Sequence, residues 1–200
     1  MVNPVYMIKN DHKEQAVQMI ISLSSLFRFG ISRGENIIDI QEELKYVKAY
    51  VNIINIRHNH MIRFIWQIDD ALLTYKTLKL TLQPIIENAI HHGIFDKSEG
   101  AMIIVACKDA GEHIQFKVTD NGKGIPEAEL AELIRRINGK QAGESIGLYN
   151  VQSRIRLYFS EKYGLTIESE VGRGTTVTLT IPKITQGETG FHRDEEELML

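Results

Sequence analysis

The sequence predicts an α/β fold, a largely antiparallel sheet with helices interspersed, preceded by an α-helical hairpin. Three observations predict it. Two long stretches before residue 60 carry apolar residues at helical period, and after residue 60 short β-rich runs are interspersed with helical ones. Two pairs of those runs are joined by turn-forming segments, Asp109-Ala110-Gly111-Glu112 and Val171-Gly172-Arg173-Gly174, as in hairpins. Hairpins argue against a doubly wound Rossmann sheet.

Taken in order, Ala16, Met19, Ile20, Leu23, Leu26 and Phe27 form one apolar stripe of a helix from Asp11 to about Gly30. Asp11 can cap it, with Glu14 three residues on as in a capping box. After the loop Ser32–Asn36, Ile40, Leu44, Val47, Val51 and Ile54 follow a four-three-four-three spacing, a heptad seam on a helix from Ile40 to about Asn59. The seam's partner is either the rest of this chain or a second copy in a dimeric bundle. Arg63–Ile68 reads as a strand ended by Asp69-Asp70. Thr81–His92 is helical, Pro84 being tolerated near its first turn. Strands follow at 101–108 and 113–119, a helix at 127–137, a polar segment Gly139–Glu144, a helix at 146–159, and a last hairpin of 165–170 with 175–181. The tail from Gln186, with Asp194-Glu195-Glu196-Glu197, reads as a solvated end. The domain reading is therefore a helical hairpin at 1–60, the main domain at 61–185 and an acidic tail at 186–200.

At 200 residues, with 43% hydrophobic and 24% charged residues, the composition is that of an ordinary globular protein. A net charge of −3 argues against a general nucleic-acid surface, which needs a clustered basic excess. The single cysteine, Cys107, excludes an internal disulfide framework and fits a reducing compartment, with the thiol expected in a strand interior. No run reaches the roughly 18 apolar residues a membrane span needs, and the start lacks the pattern of a signal peptide.

Four segments carry the chemistry: Gln83-Pro84-Ile85-Ile86-Glu87-Asn88-Ala89, Asp120-Asn121-Gly122-Lys123-Gly124, Ser145-Ile146-Gly147-Leu148-Tyr149-Asn150 and Gly172-Arg173-Gly174-Thr175-Thr176. Each has a plain structural reading alone, but four in this order over about a hundred residues are the parts of a nucleotide pocket. Asp120, at a strand end, can accept from the exocyclic amine of adenine. Gly122 and Gly124 lack Cβ and let the backbone turn close to a flat ring. Asn88 offers a neutral oxygen to Mg²⁺, which prefers oxygen ligands shared with phosphates. His91 can meet a phosphate and His92 can line base or ribose. Glu87 can activate an attacking hydroxyl or imidazole, or simply face water. Gly147 opens a helix whose amides attract phosphate, with 139–144 before it as a candidate lid. Thr175 can help hold the base. No Gly-x-x-x-x-Gly-Lys-Ser/Thr occurs, so this is not a P-loop.

These segments resemble the asparagine box and three glycine boxes of the GHKL ATP-binding fold, the group of histidine kinases, HSP90-type chaperones, gyrase-type ATPases and MutL. More narrowly the chain looks like sensor histidine kinases of the LytS and YesM type, over about residues 6 to 183. Leu82–Gly93, Ser22–Arg28, Glu42-Glu43-Leu44 through Tyr50 and Arg57, and Gly147–Val151 through Arg154-Ile155 carry that likeness. The resemblance implies a two-layer α/β sandwich with a mixed, mostly antiparallel sheet that binds Mg-ATP and passes the γ-phosphate to a histidine, from which a response regulator takes it. By resemblance Asn88 holds magnesium, Asp120 holds adenine, and His91, His92, Gly122, Gly124, Ile125, Gly147, Leu148 and Thr175 shape the pocket. It further implies a homodimer through the helical region and the cytoplasmic portion of a sensor in the inner or plasma membrane, attached through segments upstream.

Two departures stand out. The family's acceptor histidine, after Asn-Pro and before Phe-Leu, has no counterpart: Asn3-Pro4 runs into Val5-Tyr6. The expectation is that the chain starts just after that motif, with His12 not the acceptor. Ser145 also stands where the second glycine box usually begins with glycine. The rival classes are a non-catalytic interaction module of the same fold and an ATPase of the chaperone or repair type, in which water is the acceptor.

Overall fold

The computed structural model describes residues 13–31, 36–57, 61–94, 100–139 and 146–185. The readings at Asn3-Pro4, Asp11, His12, Ser145, residues 140–144 and the acidic tail fall outside them. In chain order the elements are α1 (Lys13–Ile31), β1 (Ile37–Asp39), α2 (Ile40–Arg57), β2 (Ile62–Ile68) and β3 (Lys76–Leu78). Then come α3 (Leu82–Asn88), continued by a π-helical turn (Ala89–Ile94), and the strands β4 (Ala101–Asp109) and β5 (His113–Asp120). Last are α4 (Glu127–Asn138), α5 (Ile146–Tyr158), β6 (Gly164–Glu170) and β7 (Gly174–Pro182).

The main sheet has the order β2-β4-β5-β7-β6. β4–β5 and β6–β7 pair antiparallel, as the hairpin loops required, and β5 and β7 also pair antiparallel. β2 and β4 pair parallel, because α3 lies between them in sequence and crosses over the sheet. The expected mixed, mostly antiparallel sheet is thus observed.

Alternation sorts the two faces of this sheet. Ile114, Phe116 and Val118 of β5 stand opposite Ile181, Leu179 and Val177 of β7, and Val118 and Phe116 also face Val105 and Cys107 of β4. All are buried, and they join one core with Leu82, Ile85, Ile86 and Ala89 of α3 and Leu148, Val151 and Ile155 of α5. The other face carries Lys117, Thr119, Thr176 and Thr180, with the hydroxyls of Thr119 and Thr176 bonded at 2.9 Å. One apolar and one polar face give two layers rather than three. Cys107 is buried as expected, and burial pushes its thiol up to about 12, so it is a packing residue.

The heptad seam finds its partner within the chain. Ile40, Leu44, Val47 and Val51 are buried in the same core as the sheet, with Ile54 packed against it. α1 touches α2 along a second line, Ala16 and Met19 against Ile56, flanked by Leu23 and Ile53, with Asn52 donating to the Ser22 hydroxyl at 2.9 Å. Two of the six stripe residues expected on α1 therefore stay out of the core: Ile20 and Phe27 are exposed, beside Val17 and Ile21.

Two features lay below the sequence signal. β1 pairs antiparallel with β3, which pins the start of α2 beside the start of α3; three-residue runs are too short for periodicity to reveal. The helix expected to run through His92 widens into a π-turn after Asn88, an arrangement that recurs at functional sites. Truncating Phe116, which is 1% exposed and central in the sheet, to alanine is expected to cost about 3–5 kcal/mol in urea denaturation.

Candidate functional site

The period-two rule that buries Ile114, Phe116 and Val118 also sends Asp120, the last residue of β5, to the helix-covered face opposite Ile103. Its side chain is 3% exposed. A carboxylate so placed must keep its hydrogen bonds, and its Oδ1 accepts the Gly122 N–H at 2.8 Å. The π-turn brings Gly93 directly against it: a Cβ on Gly93 would lie 2.6 Å from the carboxylate. The Gly93 carbonyl, freed from helical bonding, accepts the Lys123 N–H at 3.1 Å.

The two glycines of this turn also meet protein backbone at close range. A Cβ on Gly122 would fall 2.0 Å from the Gly93 carbonyl oxygen. One on Gly124, whose φ is +69°, would fall 2.0 Å from the Glu170 oxygen. Both glycines let protein backbones cross at contact distance, and this knots the turn after β5 to the π-turn on one side and the β6–β7 hairpin on the other. Asn121 fastens the same turn to β4, accepting from Met102 N at 2.9 Å and donating to the Gly100 carbonyl at 2.8 Å.

Beside this knot opens a cavity of about 520 Å³ whose walls include Asn88, His92, Lys123, Gly124, Ile125 and Arg136. It lies between the end of α3, the turn after β5 and α4. Charge on the α4 wall is mixed. Arg136 Nε bonds Glu132 at 2.8 Å and, together with Arg135, holds that carboxyl below its usual range.

Of the residues singled out in sequence, Asn88, His92, Gly124 and Ile125 share this cavity. Asp120 and Gly122 are buried and lie outside its lining, joined to it through Lys123 and Gly124 of the same turn. Thr175 is 6% exposed, and its hydroxyl bonds that of Ser169 at 2.8 Å. Leu148 is a core residue, while Gly147 lines a separate hollow of about 330 Å³ with Pro84, Asn150 and Arg154. His91 is exposed and outside both linings. Glu87 faces α2: it accepts from Gln83 Nε2 at 2.7 Å and lies beside the Tyr50 phenol, whose pKa it helps to raise.

Three residues were missed. Gly93 lay inside the motif but carries no chemistry of its own, so only its contact with Asp120 reveals it. Ser169 receives the Ile125 N–H at 2.8 Å and donates to the Gly174 carbonyl at 3.0 Å; a serine in a strand gives no local signal. Lys123 stood between the two glycines and turns out to line the cavity.

Comparison with known proteins agrees with this geometry. Residues 74–185 match the family described as histidine kinase-, DNA gyrase B- and HSP90-like ATPase, and residues 2–62 match the histidine kinase family. The chain is 35% identical over 177 residues to sensor histidine kinase YesM of Bacillus subtilis (strain 168), an alignment covering 88% of this chain and 29% of that protein. It is 30% identical over 183 residues to sensor protein LytS of Bacillus anthracis, covering 91% and 31% respectively. The chain thus spans about a third of the length of these relatives. Among solved structures, the mycobacterial sensor histidine kinase MprB superposes with a TM-score of 0.54 at 16% identity, over 76% of this chain and 99% of that one. The nucleotide-free catalytic domain of histidine kinase ThkA gives 0.53 at 20% identity, over 74% and 95%. These two establish the fold alone. With the match spanning most of the sheet and both cavity walls, the chain belongs to the family of histidine kinase-, DNA gyrase B- and HSP90-like ATPases.

Proposed function

We propose that this chain is the catalytic region of a two-component sensor histidine kinase, binding Mg-ATP and directing its γ-phosphate to a histidine for relay to a response regulator. The observation that carries the reading is the Asn88 carboxamide on a cavity that also takes in Lys123 and Gly124, the residues that follow the Asp120–Gly93–Gly122 knot in the same turn. The donor set fits such a ligand. Among the described residues no group of three or more His, Cys, Asp and Glu could hold a metal alone. A cation here would therefore rely on Asn88 and on ligand oxygens, as magnesium on a nucleotide does. When bound, Mg-ATP supplies the phosphoryl group and the charge that neutralises it.

The chain's own groups then have distinct tasks. Asp120 accepts from the adenine amine with one oxygen while the Gly122 N–H orients the other. Ile125 and Gly124 offer a flat, mostly apolar wall to the base, and Thr175 with Ser169 holds that wall in place. Asn88 orients magnesium, and His92 and Lys123 present polar and positive groups to the rest of the nucleotide. His91, Gly147 and Leu148 belong to the phosphate end of the site in this reading. Catalysis in this arrangement is positioning and charge neutralisation. Glu87 is the candidate to assist the incoming imidazole, from the side that faces the helices.

Residues 1–60 form the helical, dimerising region in this reading, and residues 61–185 the nucleotide-binding unit, with an acidic tail beyond. The exposed Val17, Ile20, Ile21 and Phe27 on α1 supply the apolar face that a second copy would cover. The parent protein is a membrane sensor and this portion lies on its cytoplasmic side; among the described residues no helix is long and apolar enough to cross a membrane.

Asp120→Asn tests the nucleotide site. The amide keeps an oxygen for Gly122 but points a donor at the adenine amine. ADP at about 100 times its Kd is expected to stabilise the native protein by about 2.7 kcal/mol, seen as a rise in melting temperature. The variant is expected to lose that rise while its ligand-free melting point stays close to native, and an unchanged rise would overturn the assignment. Ile21→Glu tests the dimer: sedimentation should find native dimer and variant monomer, and a native monomer at tens of micromolar (roughly the range in which weak interfaces dissociate) would count against it. Phosphohistidine formed on a supplied acceptor domain, rather than phosphate release alone, separates the kinase from a chaperone-type ATPase.

A further inference from the structure

The helix that carries Asn88 does not cap itself. At its start, the Thr81 hydroxyl donates backwards to the Leu78 carbonyl at 3.1 Å and makes no cap bond. The three N–H groups there converge instead on one carboxylate from α2. Glu43 Oε2 accepts from Leu80 at 2.8 Å, and its Oε1 accepts from Thr81 at 2.8 Å and Leu82 at 2.9 Å. Leu80 holds a φ of +62°, a left-handed conformation unusual for leucine, at the first of these bonds. Glu43 is 0% exposed. Burial pushes its carboxyl up, while the three N–H groups and the nearby Arg154 pull the other way. Arg154 itself donates to the Lys79 carbonyl at 2.9 Å, so α5 buttresses the same capping segment.

The contact continues along α2. Tyr46 donates to Gln83 Oε1 at 2.8 Å, and Gln83 Nε2 donates in turn to Glu87 at 2.7 Å. Tyr50 lies beside Glu87, and burial together with that carboxylate pushes its phenol up. Positions 43, 46 and 50 are spaced three and four apart and lie on one face of α2. They meet α3 at its first turn, its second residue and the residue before Asn88. α3 is only seven residues long, about 10 Å at 1.5 Å per residue, so three ties along one side fix both its axial position and its rotation.

We propose that Glu43, Tyr46 and Tyr50 are positioning residues for Asn88: by locking α3 against α2 they set where the carboxamide meets the magnesium end of the nucleotide. None of the three lines the cavity. They act through α3, while the adenine end is held by the separate Asp120 knot. Loosening this contact should therefore weaken one end of the ligand and spare the other. The assignment rests on the nucleotide reading above.

The test uses the full chain and ATP titrations with Mg²⁺ or with EDTA. The double variant Tyr46→Phe/Tyr50→Phe keeps both rings and removes only the hydroxyls, so folding is preserved; Glu43→Gln removes the charge and turns one acceptor into a donor. In both, the tightening of ATP binding by Mg²⁺ is expected to fall about tenfold or more, as when a partner of a metal ligand is removed, with the EDTA affinity within about twofold. Equal losses in both conditions together with a lower melting temperature would make the contact merely structural and overturn the proposal. An undiminished Mg²⁺ effect in the double phenylalanine variant would overturn it alone. A native protein that binds no ATP in either condition would bring down the nucleotide reading and this one together.

Discussion

A carboxylate buried at the end of β5 is the constraint around which this site is built. Asp120 cannot turn to water, because its position in the alternation of β5 places it under the helices. The Gly122 N–H bonded to it offsets part of the desolvation cost, and the missing Cβ of Gly93 makes the room. Gly122 then lies so close to the Gly93 carbonyl that a Cβ on it would fall 2.0 Å from that oxygen. The close turn, the break into a π-turn after Asn88 and the contact with the β6–β7 hairpin follow from one group's need to be buried and still bonded.

The same constraint explains why the two ends of the cavity are built differently. The turn beside the cavity, around Asp120, is a knot of backbone contacts between sheet and π-turn. Asn88 stands at the end of a seven-residue helix too short to be stable alone. That helix gains its stability from the core residues beneath it and from the polar contacts with α2. The two regions are thus held by different means, one by backbone crossings within the sheet's turn and the other by side-chain contacts with α2.

α2 serves both layers at once. Its heptad seam is part of the sheet's core, while the neighbouring stripe of Glu43, Tyr46 and Tyr50 faces α3. A seam of that spacing reads in sequence as a bundle surface, and α1 does pack on α2, but along another line. The large apolar residues left exposed on this helical pair lie on α1 and not on α2.

Most elements were legible because each rests on a local pattern: a 3.6-residue period for the helices, alternation for the strands, and glycine with short polar residues at the hairpins. The order of Asn88, Asp120, Gly122, Gly124 and Gly147 likewise pointed to the family before any coordinates. The sequence by itself thus determined which segments are helix or strand and which residue types supply the chemistry. The tertiary structure alone decided that Gly93 backs Asp120, that Ser169 supports Ile125 and that Glu43 caps a helix some 38 residues further along the chain. A hydrogen bond between distant residues leaves no periodicity in the chain, since its partners are chosen by how the layers stack and not by their neighbours in sequence.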